Sequence, residues 1–190
     1  MSNNFGRIIL TGLMKEENDT MKQNFTSANT SINKHKVPAL FTMAKAKFEP
    51  DTINFDIGGG KYDTATVYLH GLNVRNLIWD KYNRSEVWNK NVINTLINCG
   101  GADTVTISNV LNVIEEWGNR HEVLQIAYAF SKPTATIYIT VYEGDKSGIG
   151  KQTKDDCYQL NRATADYVDE ILTVFPHVKR YGKLIVCSKM

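Results

Sequence analysis

The patterning of apolar and polar positions is clearest between Ile53 and Asp80, INFDIGGGKYDTATVYLHGLNVRNLIWD. Ile53 and Phe55 predict a short strand closed by Asp56, and Gly58, Gly59 and Gly60 follow as a turn. From Asp63 the period becomes helical. Ala65, Tyr68, Leu69 and Leu72 share a face, and Asp63 is placed to cap the first turn. Asn76 to Trp79 predict a second short strand, with Asp80 at its carboxyl end.

The same alternation continues downstream. Ser85 is a candidate N-cap for a helix whose buried stripe is Trp88, Val92 and Leu96, ended by Gly100 and Gly101. Ala102 to Ser108 predict a buried strand, and Asn119 to Phe130 a helix with Val123, Ile126, Ala127 and Phe130 inward. Ala135 to Tyr142, ATIYITVY, is the strongest strand signal, being almost all β-branched or aromatic. It runs into Glu143-Gly144-Asp145. Lys146 to Asn161 lack any period and predict a polar loop, of the kind that serves as a lid or substrate-binding element. Tyr167, Val168, Ile171, Leu172 and Phe175 define a last helix, and Val178 to Cys187 a closing hairpin across Tyr181-Gly182-Lys183. Upstream, Lys34 to Phe48 is amphipathic, with Leu40, Met43, Ala44 and Phe48 able to share a face. Residues 1–33, rich in Asn, Ser, Thr and Lys, carry no such pattern and predict a loosely ordered segment ahead of a single domain over 34–190.

Composition narrows the classes. A chain of 190 residues with 42% hydrophobic and 22% charged residues has the make-up of a globular domain that buries a core without staples. Cys99, Cys157 and Cys187 form no CxxC pair, which points away from structural zinc and disulfides and towards a reducing cytoplasm. No stretch reaches the ~20 apolar residues of a membrane span. A net charge of +2 neither demands nor excludes nucleic acid.

Alternating strands and helices predict an α/β, Rossmann-like, doubly wound and mostly parallel sheet, with helices on both faces and a C-terminal antiparallel hairpin. In such a sheet a ligand sits beyond the carboxyl ends of the strands, on a glycine turn leading into a helix, and an acid at the second strand's tip accepts ribose hydroxyls. The alternative is that the glycines only make a tight turn and Asp80 is a solvated loop residue.

The order of these motifs resembles the class I S-adenosylmethionine-dependent methyltransferases across Val37 to Lys189: Asp56-x-glycine turn, helix, Asp80-ended strand, SNVLNV after the next strand, YEGD after the one beyond, and terminal hairpin. The run GGGKYDTAT followed by DKYNRSE is similar to a small bacterial or phage-type subgroup. The resemblance implies S-adenosylmethionine as cofactor, with Asp56, Gly58, Gly59 and Gly60 around its methionine part and Asp80 at its ribose. Ser108 and Asn109 would line the cofactor and the substrate mouth. It also implies methyl transfer, to a polar small molecule. Asn109 is not followed by the Pro-Pro-aromatic of base-methylating enzymes, so a nucleic-acid acceptor is possible without being indicated.

The sequence departs from that family in one respect. Between Asp80 and Ala102 there is room for one helix but not for a third strand and a further helix, so the usual adenine contact has no counterpart; Asn98 or Cys99 are candidates. A dinucleotide reading is weaker, because Asp63 stands where the third glycine would be. For a base that takes the acceptor's proton, Glu143 and Asp145 are the candidates, with a second reading as ordinary loop acids paired to Lys146 and Lys151. His35 and Tyr142 are outside candidates; His70, His121 and His177 read as surface. Asn83, Arg84, Gln152, Asn161 and Arg162 form a polar group suited to a polar or anionic acceptor. Besides methyl transfer, another use of the same cofactor, by cleavage or nucleic-acid modification, and non-catalytic binding of it both remain readings of the motifs.

Overall fold

The computed structural model of the protein describes residues 23–30, 34–43 and 46–190. Most of the segment expected to be loosely ordered, and Ala44 of the amphipathic face, lie outside the described residues.

Strands β1 (Ile53–Ile57), β2 (Arg75–Trp79), β3 (Ala102–Ser108) and β4 (Ser131–Thr140) are parallel. β5 (Gly150–Lys154) and β6 (Cys157–Leu160) pair antiparallel as a separate hairpin, and β7 (His177–Tyr181) and β8 (Leu184–Ser188) as another. The six-stranded sheet has the order β2-β1-β3-β4-β8-β7, with β8 antiparallel to β4. The doubly wound sheet and its terminal hairpin are therefore as the pattern predicts.

Both faces are covered. On one, Phe55, Ile57, Val105, Ile107, Ile137 and Ile139 pack under α3 (Glu86–Asn98), α4 (Trp117–Ala129) and α5 (Val168–Leu172). On the other, Tyr138 and Leu184 meet Leu40 and Phe41 of α1 (Ala39–Thr42) and Ala65 and Leu69 of α2 (Thr64–His70). The chain steps outward from β1 to β2, then returns across β1 to β3, so strand order reverses between β1 and β3. A ligand crevice belongs at that point, beyond the strands' carboxyl ends.

Local details depart from the pattern for identifiable reasons. The amphipathic run Lys34–Phe48 holds only one helical turn, because Met43 is extended; Phe41 still reaches Phe48, which lies against Tyr138. Leu72 falls beyond the end of α2 and is exposed. Asp63 makes no side-chain cap and pairs with Arg84 instead (2.7 Å). Ser85 does cap α3, accepting the Trp88 N–H (3.2 Å). The polar loop expected over 146–161 contains the β5–β6 hairpin, whose first strand is exposed along almost its whole length and so carries no apolar alternation.

Among the described residues no strand pairs with the outer edge of β2. Arg75 and Trp79 direct backbone bonds towards the β1 side, which turns Ile78 and Asp80 outward. There the Ile78 carbonyl accepts Trp88 Nε1 (2.7 Å), and the Asn89 amide bonds both the N–H (3.1 Å) and the C=O (2.8 Å) of Asp80. Side chains of α3 thus occupy hydrogen-bonding positions that a third strand would use.

Candidate functional site

A cavity of about 600 Å³ opens at the strand-order reversal. Its lining includes Asp56, Gly58, Gly59, Gly60, Asp80, Ser108 and Asn109, so all seven residues expected around a cofactor meet in one place.

The glycine turn is built by close approach. Gly58 has a φ of +69°, and a Cβ there would fall 2.5 Å from Val110; at Gly59 it would fall 2.6 Å from Asp56 Oδ2 and 2.9 Å from Ile78. Neither position accepts a side chain without displacing the cavity wall. The turn is tied at both ends. Asp80 Oδ2 accepts the Gly60 N–H (2.9 Å), and Arg84 Nε donates to the Gly60 carbonyl (2.9 Å). Asp80 Oδ1 accepts the N–H groups of Tyr82 (3.0 Å) and Asn83 (2.8 Å) and the Asn83 amide (3.3 Å). Asp80 therefore orders the turn.

Asp56 is buried, with Oδ1 accepting the Thr106 hydroxyl (2.9 Å). Burial pushes its carboxyl up to about 7, against the lowering effect of that hydrogen bond, and the neighbouring Asp80 charge adds to the rise. Below it, Asn54 bonds Asn76, Thr104 and Thr106, a polar ladder under α2.

The opposite wall comes from the end of the SNVLNV run, from Tyr142, from the 146–161 stretch expected as a lid or substrate-binding element, and from the helix after β3. Asn112, on a short 3-10 turn after β3, takes the Tyr142 N–H on its oxygen (3.2 Å) and donates to Gln159 of β6 (3.1 Å); Gln159 in turn donates to the Tyr142 carbonyl (3.0 Å). α4 contributes Asn119, Glu122, Val123 and Ile126. Residues 23–30 complete the enclosure. Thr26 donates its N–H (2.9 Å) and its hydroxyl to Asp156, Ser27 N–H bonds the Asp156 carbonyl (2.8 Å), Phe25 stacks on Tyr158 and Tyr82 donates to Gln23. A signal for these residues was faint: the segment is polar and aperiodic, and only its contacts with a distant hairpin give it a place.

Other candidates lie elsewhere. Glu143 and Asp145 are not among the lining residues. Glu143 accepts the Thr164 N–H (2.9 Å) and pairs with Lys146 (3.2 Å), and these partners, the backbone bond foremost, pull its carboxyl down to about 2. Asp145 is bonded by Ser147 (3.0 Å), which lowers it too. Asn98 and Cys99, the adenine candidates, end α3 ahead of the amino end of β3, away from the cavity. Of the polar group, Asn83 lines the cavity. Arg84 is held by Gly60 and Asp63, and Arg162 by Glu170 (3.0 Å) and the Asp166 carbonyl. Tyr142 is in the lining, whereas none of His35, His70, His121 and His177 is. Among the described residues no three His, Cys, Asp or Glu side chains group as metal ligands, and no helix is long and apolar enough to cross a membrane.

No family model matches the sequence, and comparison with curated proteins finds no match. Solved structures do match. The 1,6-didemethyltoxoflavin-N1-methyltransferase of Burkholderia thailandensis, solved with 1,6-didemethyltoxoflavin and S-adenosylhomocysteine, aligns over 96% of this chain and 84% of its own, with a TM-score of 0.54 at 12% identity. The S-adenosylmethionine-dependent methyltransferase SibL aligns over 73% of this chain with a TM-score of 0.51 at 15% identity, and the chain spans 50% of SibL's length. The fold is that of the S-adenosylmethionine-dependent methyltransferases. Within the methyltransferase fold, the cavity lies at the carboxyl ends of β1 to β3, where the resemblance read from the sequence expects the cofactor.

Proposed function

We propose that the protein is an S-adenosylmethionine-dependent methyltransferase acting on a polar small molecule. The observation that carries this reading is the joining of Asp56, the glycine turn and Asp80 around one cavity of about 600 Å³, within the ligand-site range of roughly 300–1,000 Å³. The residues fit the cofactor. Gly58 and Gly59 leave a cradle that any Cβ would fill, Asp56 offers a buried carboxylate to an ammonium, and Asp80 stands beside the turn as an acceptor for hydroxyls. When bound, S-adenosylmethionine supplies an electrophilic methyl group on a sulfonium. The chain's own task is then to orient the acceptor and keep water out. Asn112, Tyr142 and Gln159 join the strand ends to the β5–β6 hairpin, and residues 23–30 roof the site. Glu143 and Asp145 are assigned here to holding the end of β4 rather than to proton transfer, since each is already bonded and low in basicity.

The test is incubation with methyl-labelled S-adenosylmethionine and a panel of small polar acceptors. Transfer of label by the wild-type protein and its loss in Gly59→Ala support the reading. Binding of the cofactor without transfer to any acceptor would point to a binding protein, and cofactor breakdown without an acceptor to a cleaving enzyme.

A further inference from the structure

We infer that the methyl acceptor is built on a flat, unsaturated ring, and that Tyr142 is the platform on which the face of that ring stacks. This rests on the methyltransferase reading above and names the class of molecule that shares the cavity with the cofactor.

The lining divides by strand. Asp80 and the glycine turn stand at the ends of β2 and β1, whereas Tyr142 lies just beyond Thr140, the last residue of β4. β1 and β3 separate β2 from β4, a span of about 14 Å at ~4.8 Å per strand. Tyr142 is thus across the cavity from Asp80. The Asn109 N–H donates to the Thr140 carbonyl (2.9 Å), so the wall continues from the end of β3 to that of β4. Pro38 and Phe41 line the cavity from the α1 side, and α1 lies against β4. A ring placed here meets apolar neighbours.

Tyr142 differs from the other rings of the lining. Phe41 stacks on Phe48, Tyr158 stacks on Phe25, Tyr82 lies under Lys81 and donates to Gln23, and Trp79 packs on the core. Tyr142 is 62% exposed, and among the described residues its side chain has no hydrogen-bond, ion-pair or ring partner. Its backbone, by contrast, is held from two sides. Asn112 Oδ1 accepts its N–H (3.2 Å), Gln159 Nε2 donates to its carbonyl (3.0 Å), and Asn112 donates to Gln159 (3.1 Å). Asn112 is 1% exposed, so a buried carboxamide is committed to positioning a ring that packs on little.

A ring fixed in this way loses little freedom when a ligand covers it. Its π face favours a second flat ring beyond the area the two bury. A saturated ring of the same size is puckered, keeps fewer atoms at contact distance and has no π face to offer. The phenol hydroxyl takes no part, so phenylalanine should serve as well as tyrosine.

The experiment is NMR titration of 2-naphthol, naphthalene-2,3-diol and quinolin-8-ol, each beside its fully hydrogenated counterpart, into the full chain saturated with S-adenosylhomocysteine. The Tyr142→Phe and Tyr142→Leu variants are titrated in parallel, and the affinity of each protein for S-adenosylhomocysteine is measured separately by calorimetry. The wild-type protein should bind planar members roughly threefold or more tighter than their saturated counterparts, the advantage of a stacked pair. Tyr142→Phe should keep that preference, and Tyr142→Leu should bring the ratio near one while leaving the affinity for S-adenosylhomocysteine unchanged. Failure of every planar probe to bind, equal binding of the two series, or a preference that survives in Tyr142→Leu overturns the platform while the cofactor reading stands. Failure of the folded wild-type protein to bind S-adenosylhomocysteine removes that reading first, and this one with it.

Discussion

Asp56 couples the site to pH. Its folded value of about 7 lies above the ordinary 3.8, so its contribution to stability is complete below about pH 4 and is lost as pH rises through about 7. An ammonium in the cradle favours the ionised form. Binding of S-adenosylmethionine between pH 6 and 7 should therefore release a proton, and affinity should climb with pH until about pH 8. Calorimetry in buffers of differing ionisation enthalpy reads this directly, and Asp56→Asn should abolish the linkage. At Gly59 the added methyl of Gly59→Ala meets Asp56 and Ile78, and overpacking of this kind costs about 1–3 kcal/mol. Chemical denaturation would record that loss, together with weakened cofactor binding. The residues of this half of the site were legible because glycine and strand-end acids announce themselves by type and spacing. The other half was legible only by region: the SNVLNV run and the 146–161 stretch were marked, but Asn112 and Gln159 are ordinary polar residues whose contacts come only from what the fold sets beside them.

At the scale of elements, the outer edge of β2 is paired with no strand among the described residues. Trp88 and Asn89 satisfy backbone groups that would otherwise invite pairing with another strand. Asn89→Ala should cost about 1–3 kcal/mol for the polar groups left unpaired, and should loosen Asp80, whose N–H and C=O Asn89 holds. A fall in the denaturation midpoint accompanied by weaker cofactor binding is the expected pair of results. The helix itself was readable from Ser85 and the Val92–Leu96 stripe, and the absence of a third strand from the short spacing to Ala102. The β5–β6 hairpin escaped because Lys151, Gln152, Thr153 and Lys154 are all exposed, so neither face of the strand is marked by burial. Similarly Asn54, Thr104 and Thr106 sit in buried strands as polar residues because they satisfy one another.

For the molecule as a whole, the cavity is closed by parts far apart in sequence. Residues 23–30 are fastened to Asp156 on the hairpin, and Tyr82 beside Asp80 reaches over to Gln23. Asp156→Ala removes the side-chain half of that fastening, which should speed dissociation of S-adenosylhomocysteine by roughly three- to tenfold, the kinetic equivalent of about one net hydrogen bond. Stopped-flow displacement would measure it. The Asp156 carboxyl is held below its ordinary value by Thr26, so the fastening is complete above about pH 4 and loosens as pH falls further. Elsewhere Arg120 and Glu170 form a buried pair (2.7 Å) that fixes α4 against α5.

The most direct test of the central claim is calorimetric titration of S-adenosylmethionine and, separately, NAD into the purified protein and its Asp80→Ala variant, with circular dichroism to verify folding. The account predicts binding of S-adenosylmethionine, no binding of NAD, and a tenfold or greater loss in the variant, about 1.4 kcal/mol. A folded protein that ignores S-adenosylmethionine, or that takes NAD in its place, would contradict it.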